Sequence, residues 1–325
     1  MSERLPTYDE LPVTAGAPAG SSWGVWGEDD RFGCLNLLTP ERVLRAVRCV
    51  RTGRVFALNL ELDLPDPPLF GRARLRHVIL GETGRSHDDL VESWNTQSSS
   101  QWDGFRHVAH PEHGHYGGVA DEDHGIDHWA KRGIVGRGVL ADVARWREST
   151  GTRIEPDAPE PITPDDVTGT LAAQGTEVEP GDVLLLRTGW LSWYRTLDES
   201  RRTAMAASFA APGLQPSEDT CRMLWDMHVA AIGADNPAVE VWPLGAGLDP
   251  AELERIRATE RNRLVEVFAH TTLLPLLGIP LGELWDLDAL AEDCASSRIY
   301  DCLFTSAPIN LRAGVASPPN ALAIR

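Results

Sequence analysis

Gly181-Asp182-Val183-Leu184-Leu185-Leu186 leads from a turn-forming pair into four consecutive apolar residues. A short apolar run bounded by turn signals suits a strand covered on both faces of its sheet. Working outward, Gly133-Ile134-Val135-Gly136-Arg137-Gly138-Val139-Leu140-Ala141-Asp142 reads as a strand, and so does Val229–Ala234. Helices are predicted between and after them. Thr163-Pro164-Asp165-Asp166 starts one that Gly175 ends, Pro216–Met227 forms another, and Asp249 caps a long helix running toward His270. Buried strands alternating with helices after residue 130 predict a mixed α/β fold. No linker, repeat or low-complexity tract divides the chain, so residues 23–325 read as one domain. Residues 1–22, rich in Pro, Gly, Ala and Ser, read as an arm, laid over the surface or frayed.

Upstream, Thr39-Pro40-Glu41 places a hydroxyl cap, a first-turn proline and an acid where a helix start favours them. Val55–Leu62 alternates in the manner of a strand. Residues 64–128 are mostly Pro, Gly, His and polar, and a stretch of that length without periodicity reads as functional loop.

Composition narrows the function classes. The 325 residues are 42% hydrophobic and 24% charged, near globular averages. A net charge of −18 argues against nucleic-acid partners and anionic membrane surfaces. No apolar run reaches the roughly 18–20 residues of a membrane helix, and Met1-Ser2-Glu3-Arg4-Leu5-Pro6 lacks the order of a secretory signal. Five scattered cysteines suit a reduced, cytoplasmic protein. No Gly-x-Ser-x-Gly elbow, P-loop or His-Glu-x-x-His occurs, and Gly133–Gly138 lacks the strand–turn–helix context of a dinucleotide fingerprint. No nucleotide cofactor is therefore expected.

The chemistry concentrates elsewhere. Six of ten histidines, His107, His110, His113, His115, His124 and His128, fall within 22 positions, among Asp103, Asp121, Glu122, Asp123 and Asp127. Histidine is the commonest metal ligand and the acid/base residue suited to neutral pH, although a solvated polar loop has the same composition. The sharpest segment is Gln97-Ser98-Ser99-Ser100-Gln101-Trp102-Asp103-Gly104-Phe105-Arg106-His107. It resembles the signature H-x-G-T-H-x-D-x-P-x-H of the cyclase family, which includes bacterial kynurenine formamidases and isatin hydrolases. Gln97 and Gln101 stand at the first two histidines, Asp103 at the aspartate, Phe105 at the proline and His107 at the last histidine. Trp23-Gly24, Gly33-Cys34-Leu35-Asn36, Tyr116-Gly117-Gly118, Arg187-Thr188-Gly189-Trp190, Gly233-Ala234-Asp235 and Gly278-Ile279-Pro280-Leu281-Gly282-Glu283 also resemble the family, in its order, over about residues 20–295.

The resemblance implies a swivelling β/β/α-type fold, a small-molecule substrate, a homodimer or homotetramer, and water attack on an amide, lactam or lactone carbonyl at a metal site. By position, the metal set is Gln97, Gln101, Asp103, His270 and Glu283, with His107 as general base. Two departures stand out. Glutamine offers a neutral amide oxygen, a far weaker zinc donor than imidazole. The interval from His270 to Glu283 is 13 residues, one more than the family's spacing implies, and one residue on a helix turns a side chain about 100°. Whether His270 reaches the site is therefore open.

Several readings remain. In one, Asp103, His270, Glu283 and either Gln101 or His107 hold Zn²⁺, Mn²⁺ or Mg²⁺ in a hydrolase. In another, Asp103 orients His107, Glu283 is the partner acid or base, and a metal-independent cyclase or dehydratase results. In the third, catalysis is lost and a binding protein remains. Gln97 and Gln101 are candidates to hydrogen-bond substrate oxygens. Eleven tryptophans against seven phenylalanines suggest flat walls for a cyclic or aromatic ligand. Trp23, Trp26 and Trp102 are the candidates, with Tyr116 to bind a substrate carbonyl or carboxylate. In an extended segment Trp102 points away from Gln101 and Asp103. Asp235, at a strand end, borders the site or only starts a turn, Asp103 could equally cap an Asp-Gly turn, and His270 could be a core histidine.

Overall fold

The computed structural model describes residues 4–81 and 84–325; residues 1–3 and 82–83 lie outside them, so the start of the arm is not described. A nine-stranded sheet organises the chain. Its order is Val55–Ala57, Ala321–Ile324, Asp301–Ser306, Ile134–Asp142, Val183–Arg187, Ala231–Ala234, Leu281–Glu283, Gln101–Asp103 and Ala316–Ser317. The four strands from Ile134–Asp142 to Leu281–Glu283 run parallel, and antiparallel pairs flank them on both sides. Val183, Leu184, Leu185 and Leu186 are fully buried, as expected of a strand covered on both faces. The result is the mixed α/β fold expected.

The predicted caps form. Thr39 accepts the Arg42 N–H ahead of Pro40–Ala46. Thr163 and Asp166 close a reciprocal capping box on Pro164–Gln174, and Gly175 ends that helix in the left-handed region. Ser217 caps Glu218–Asp226. The arm lies over the surface: the Tyr8 N–H donates to Asp226, the Trp225 indole to the Pro6 carbonyl, and the Ser22 hydroxyl to the Leu277 carbonyl. All five cysteines are free and buried. No helix among the described residues is long and apolar enough to cross a membrane.

Three expectations need correction. The strand predicted over Val55–Leu62 ends at Ala57. Beyond it, side chains take over the backbone's partners: Asn59 bonds both the N–H and the carbonyl of Ala321, and the Leu60 N–H donates to the Ser100 hydroxyl. The stretch 64–128 is not all loop, for it contains a hairpin of Arg76–Leu80 and Asp88–Ser93. Almost every hairpin residue is exposed, and its apolar residues, Val78-Ile79-Leu80 and Leu90-Val91, stand side by side rather than in the alternation that would mark a strand. The long helix toward His270 is three pieces, Pro250–Ala258, the 3₁₀ turn Arg261–Glu266 and the short helix His270–Leu273. The Arg255 carbonyl accepts from the N–H groups of Thr259 and Glu260 and from the Thr259 hydroxyl, which closes off the first piece.

Candidate active site

Strand register assembles the site. Gln101 lies opposite Glu283, Trp102 opposite Gly282 and Asp103 opposite Leu281. Because strand side chains alternate between faces, Gln101, Asp103 and Glu283 share one face. Trp102 is on the other, fully buried, with its indole donating to Ser306 at 2.9 Å and its ring edge-on to Trp285 at 4.7 Å. Trp102 is therefore core, which corrects its assignment as a substrate wall.

His270 reaches the cluster. Its Nε2 is 3.3 Å from Glu283 Oε1 and 3.8 Å from Asp103 Oδ2. The extra residue does not rotate it away, because the path to Glu283 is no continuous helix. The helix ends at Leu273 and the chain reverses through Gly278, at φ 64°, into the strand. The other ring nitrogen, Nδ1, makes a short hydrogen bond to Glu240. Glu240 is 1% exposed and also accepts the Ala269 N–H at 2.6 Å and the His270 N–H at 3.2 Å. Left-handed, non-glycine residues flank both glutamate sites, Val239 before Glu240 and Leu284 after Glu283, each at φ 55°. Such strain persists where surrounding structure over-determines it. Sequence reading missed Glu240, although one acid within Ala238-Val239-Glu240-Val241-Trp242 was a usable signal.

His107, Gln97 and Arg72 form the less buried rim. Gln97 Nε2 donates to Asp103 Oδ1 at 2.8 Å and lies 3.1 Å from His107 Nδ1. His107 Nε2 is 3.9 Å from the same Asp103 oxygen. Gln101 is spoken for at both ends: its amide nitrogen donates to Glu283, and its oxygen accepts from Arg72 at 3.2 Å. Arg72, also missed, further donates to the Gln97 carbonyl. It sits in an arginine-rich stretch with no motif to mark it.

The donor set fits a cation. Asp103, His270 and Glu283, all buried, present one ligand atom each within 4.8 Å of one another. Asp103 Oδ2 is buried without a hydrogen-bond partner, and a lone buried carboxylate oxygen is costly unless something satisfies it. Two carboxylates and an imidazole suit Zn²⁺ or Mn²⁺. Gln101 does not fit the ligand set expected of it, because its oxygen is turned to Arg72.

A family model described as putative cyclase matches residues 55–241. The chain belongs to the putative cyclase family. Its fold is similar to a crystal structure of a novel cyclase, with a TM-score of 0.78 and 29% identity over 94% of this chain and 99% of that one. It is also similar to isatin hydrolase A from Labrenzia aggregata bound to benzyl benzoate, with a TM-score of 0.56 and 18% identity over 83% and 93% of the two chains. An isatin hydrolase bound to the product analogue thioisatinate gives 0.57 and 15% over 88% and 98%. Among curated proteins, none matches significantly.

Electrostatics set the protons of this cyclase-family site. Burial pushes the Asp103 carboxyl up, but His107, His270 and Arg72 outweigh it and hold it at about 2. Burial and the Asp103 charge raise Glu283 to about 7, against the pull of His270 and Arg72. Burial lowers His107, with His270 and Arg72 adding to the effect and Asp103 opposing it. Burial alone would lower His270 too; the neighbouring Asp103, Glu240 and Glu283 carboxylates raise it well above the ordinary value.

The remaining candidates lie apart. His110 and His113 stack on each other at 4.6 Å, His115 bonds the Phe105 carbonyl, and His124 is buried against the Tyr116 carbonyl. The histidine-rich segment thus sends only His107 into hydrogen-bonding range of the cluster among the described contacts. The Tyr116 hydroxyl donates to Asp30 and the Trp23 indole to the Pro275 carbonyl. Those two rings line a cavity of about 340 Å³ that contains no member of the acid cluster. Trp26 packs edge-on against Trp225 at 5.9 Å. Asp235 accepts the Thr188 N–H and hydroxyl and the Gly189 N–H, so it holds a turn.

Proposed function

We propose that this chain is a hydrolase that opens an amide, lactam or lactone bond of a small cyclic or aromatic substrate. The observation that carries the reading is the buried Asp103–His270–Glu283 cluster with its unpartnered Asp103 oxygen, in a chain of the putative cyclase family. Asp103, His270 and Glu283 would hold a divalent cation, Zn²⁺, Mn²⁺ or Mg²⁺. Such a cation, when bound, supplies Lewis acidity and acidifies water.

The chain's own residues do the rest. Glu240 holds His270 Nδ1, which leaves Nε2 to face the cluster. His107 is the general base. Its lowered pKa keeps the ring neutral at pH 7, so it can take a proton from attacking water and return it to the leaving atom. Gln97 fixes His107 against Asp103. The buried free cysteines suit a reducing, cytoplasmic setting.

Metal content by mass spectrometry tests the reading, on protein purified without chelator. About one equivalent is expected in wild type and little in Asp103→Asn, since a three-ligand site loses an anionic ligand. Turnover on a panel of amides, lactams and lactones is lost in parallel. No bound metal after soaking in Mn²⁺ or Zn²⁺ would sink this mechanism. Glu283, held at about 7, favours a second reading in that event, a metal-free cyclase or dehydratase with Glu283 and His107 exchanging protons. Asp103→Asn then leaves metal content untouched and slows turnover by about 10²–10⁴.

A further inference from the structure

Arg72 is half-buried at the rim of the cluster, and only one edge of its guanidinium is used. Nη1 donates to the Gln97 carbonyl and to Gln101 Oε1. Among the described residues, Nε and Nη2 make no hydrogen bond, and neither atom is sealed from solvent. Among the described residues no carboxylate lies within 4.0 Å of the head group, and a guanidinium carries five donors and no acceptor. Its plane is fixed from below as well, with Cζ 4.7 Å from the centroid of the Phe70 ring. Phe70 in turn packs edge-on to Phe209 at 5.3 Å and to Trp242 at 5.0 Å, and all three rings are half-buried.

The result is an immobilised cation whose Nε–Nη2 side is a two-donor fork facing outward. A fork of that shape matches the two oxygens of a carboxylate better than any neutral acceptor. Through Gln101, Arg72 is two hydrogen bonds from Glu283, and its charge acts on Asp103, His107 and Glu283, so the fork belongs to the rim of the cluster. Phe70 beside the guanidinium, with Phe209 and Trp242 packed on it, offers an apolar surface for the body that carries the carboxylate.

We infer that Arg72 is the substrate anchor, and that the substrate of this site is an aromatic or apolar carboxylate. The assignment rests on the cluster being the active site proposed above. Arg72 is a specificity-determining residue here; it takes no proton and touches no reacting bond.

The test is binding rather than turnover, so it stands or falls separately from the hydrolase reading. Benzoate and its neutral isostere benzamide are titrated into the full, chelator-treated chain by calorimetry. A charge-assisted bidentate contact contributes about 1.5–3 kcal/mol, so wild type should prefer benzoate by about tenfold or more. Arg72→Gln should bring the two within about threefold of each other, and Arg72→Lys, which keeps the charge without the fork, should fall between. Equal binding of the two probes by wild type overturns the proposal. So does an unchanged benzoate preference in Arg72→Gln, and so does no binding of either probe. Should Arg72→Gln not fold, the Arg72 Nε–H resonance of wild type replaces it. That resonance should shift with benzoate and stay still with benzamide, and a still resonance with both overturns the assignment. Metal content and hydrolysis without an Arg72-dependent benzoate preference would leave the hydrolase standing and remove the anchor. An Arg72-dependent preference without metal would do the reverse.

Discussion

Glu240 shows how much one residue can decide. It touches neither Asp103 nor Glu283 through any hydrogen bond, yet it takes three donors from the start of the helix that carries His270. The carboxylate therefore fixes both the backbone position of His270 and the nitrogen that faces the cluster. Partners of this kind are worth about 10–100-fold in metal affinity. Glu240→Gln is expected to weaken Mn²⁺ or Zn²⁺ binding by roughly that factor in a calorimetric titration. In the metal-free protein, the imidazole ¹⁵N shifts of His270 should move from the imidazolium pattern toward the neutral one, because the Glu240 charge helps to hold the second proton. Unchanged shifts with weakened binding would mean that Glu240 acts on the fold alone. Gln97 and Gln101 illustrate the opposite case. Their positions were legible from the resemblance, but their partners, Asp103, His107, Glu283 and Arg72, span up to 182 residues of chain.

At the scale of elements, the site depends on two short strands staying in register. Gln101–Asp103 and Leu281–Glu283 are three residues each, too short to fix their pairing by length. The Trp285 ring clamps them from the opposite face. Its indole donates to the Gln101 carbonyl at 3.0 Å, and a Cβ placed on Gly282 would fall 2.5 Å from the ring. A Cβ on Gly233 of the next strand would fall 2.4 Å from the same ring. Glycine is required at both positions by close approach. Gly282→Ala should therefore cost about 1–3 kcal/mol of stability through overpacking. It should also lower metal occupancy, because Glu283 moves with the strand. Urea unfolding and metal analysis on the same sample check this, and full occupancy at reduced stability would show that the register survives. The caps at Thr39, Thr163 and Ser217 need no such support, since each depends only on residues within three positions.

Across the whole molecule, stability and pH are linked through groups outside the cluster. Burial holds His124 at about 4, well below the ordinary histidine range, with the Tyr116 backbone bond opposing the shift. Its Nδ1 is buried without a partner, so a second proton there has nowhere to donate. The unfolded chain takes this proton near pH 6.5, while the folded chain resists until about 4. The contribution is complete above pH 6.5 and is lost as pH falls toward 4. Asp235 has the opposite sign: burial raises it to about 6, so its cost is relieved on acidification. Subtraction isolates His124. Between pH 7.5 and 5, wild type should lose about 2 kcal/mol more than His124→Gln in urea unfolding. Equal losses would show that His124 titrates normally.

Local chemistry determined much of this protein. The apolar run Val183–Leu186, the capped helix starts and the segment from Gln97 to His107 are all legible because a strand's burial, a cap and a loop signature act over a few neighbouring residues. That Trp102 points away from its neighbours also followed, from strand alternation alone. Tertiary structure decided the rest. The hairpin after Arg74 left no alternating pattern, because its apolar residues stand side by side and nearly all of it is exposed. The reach of His270 depended on how the chain reversed at Gly278, not on the count of residues before Glu283. Glu240 lies 30 positions before His270, and Gln101 lies 182 before Glu283. No spacing rule carries a contact over such distances. The parallel strand order and the register of two three-residue strands bring these side chains together, and both are set by burial across the whole sheet.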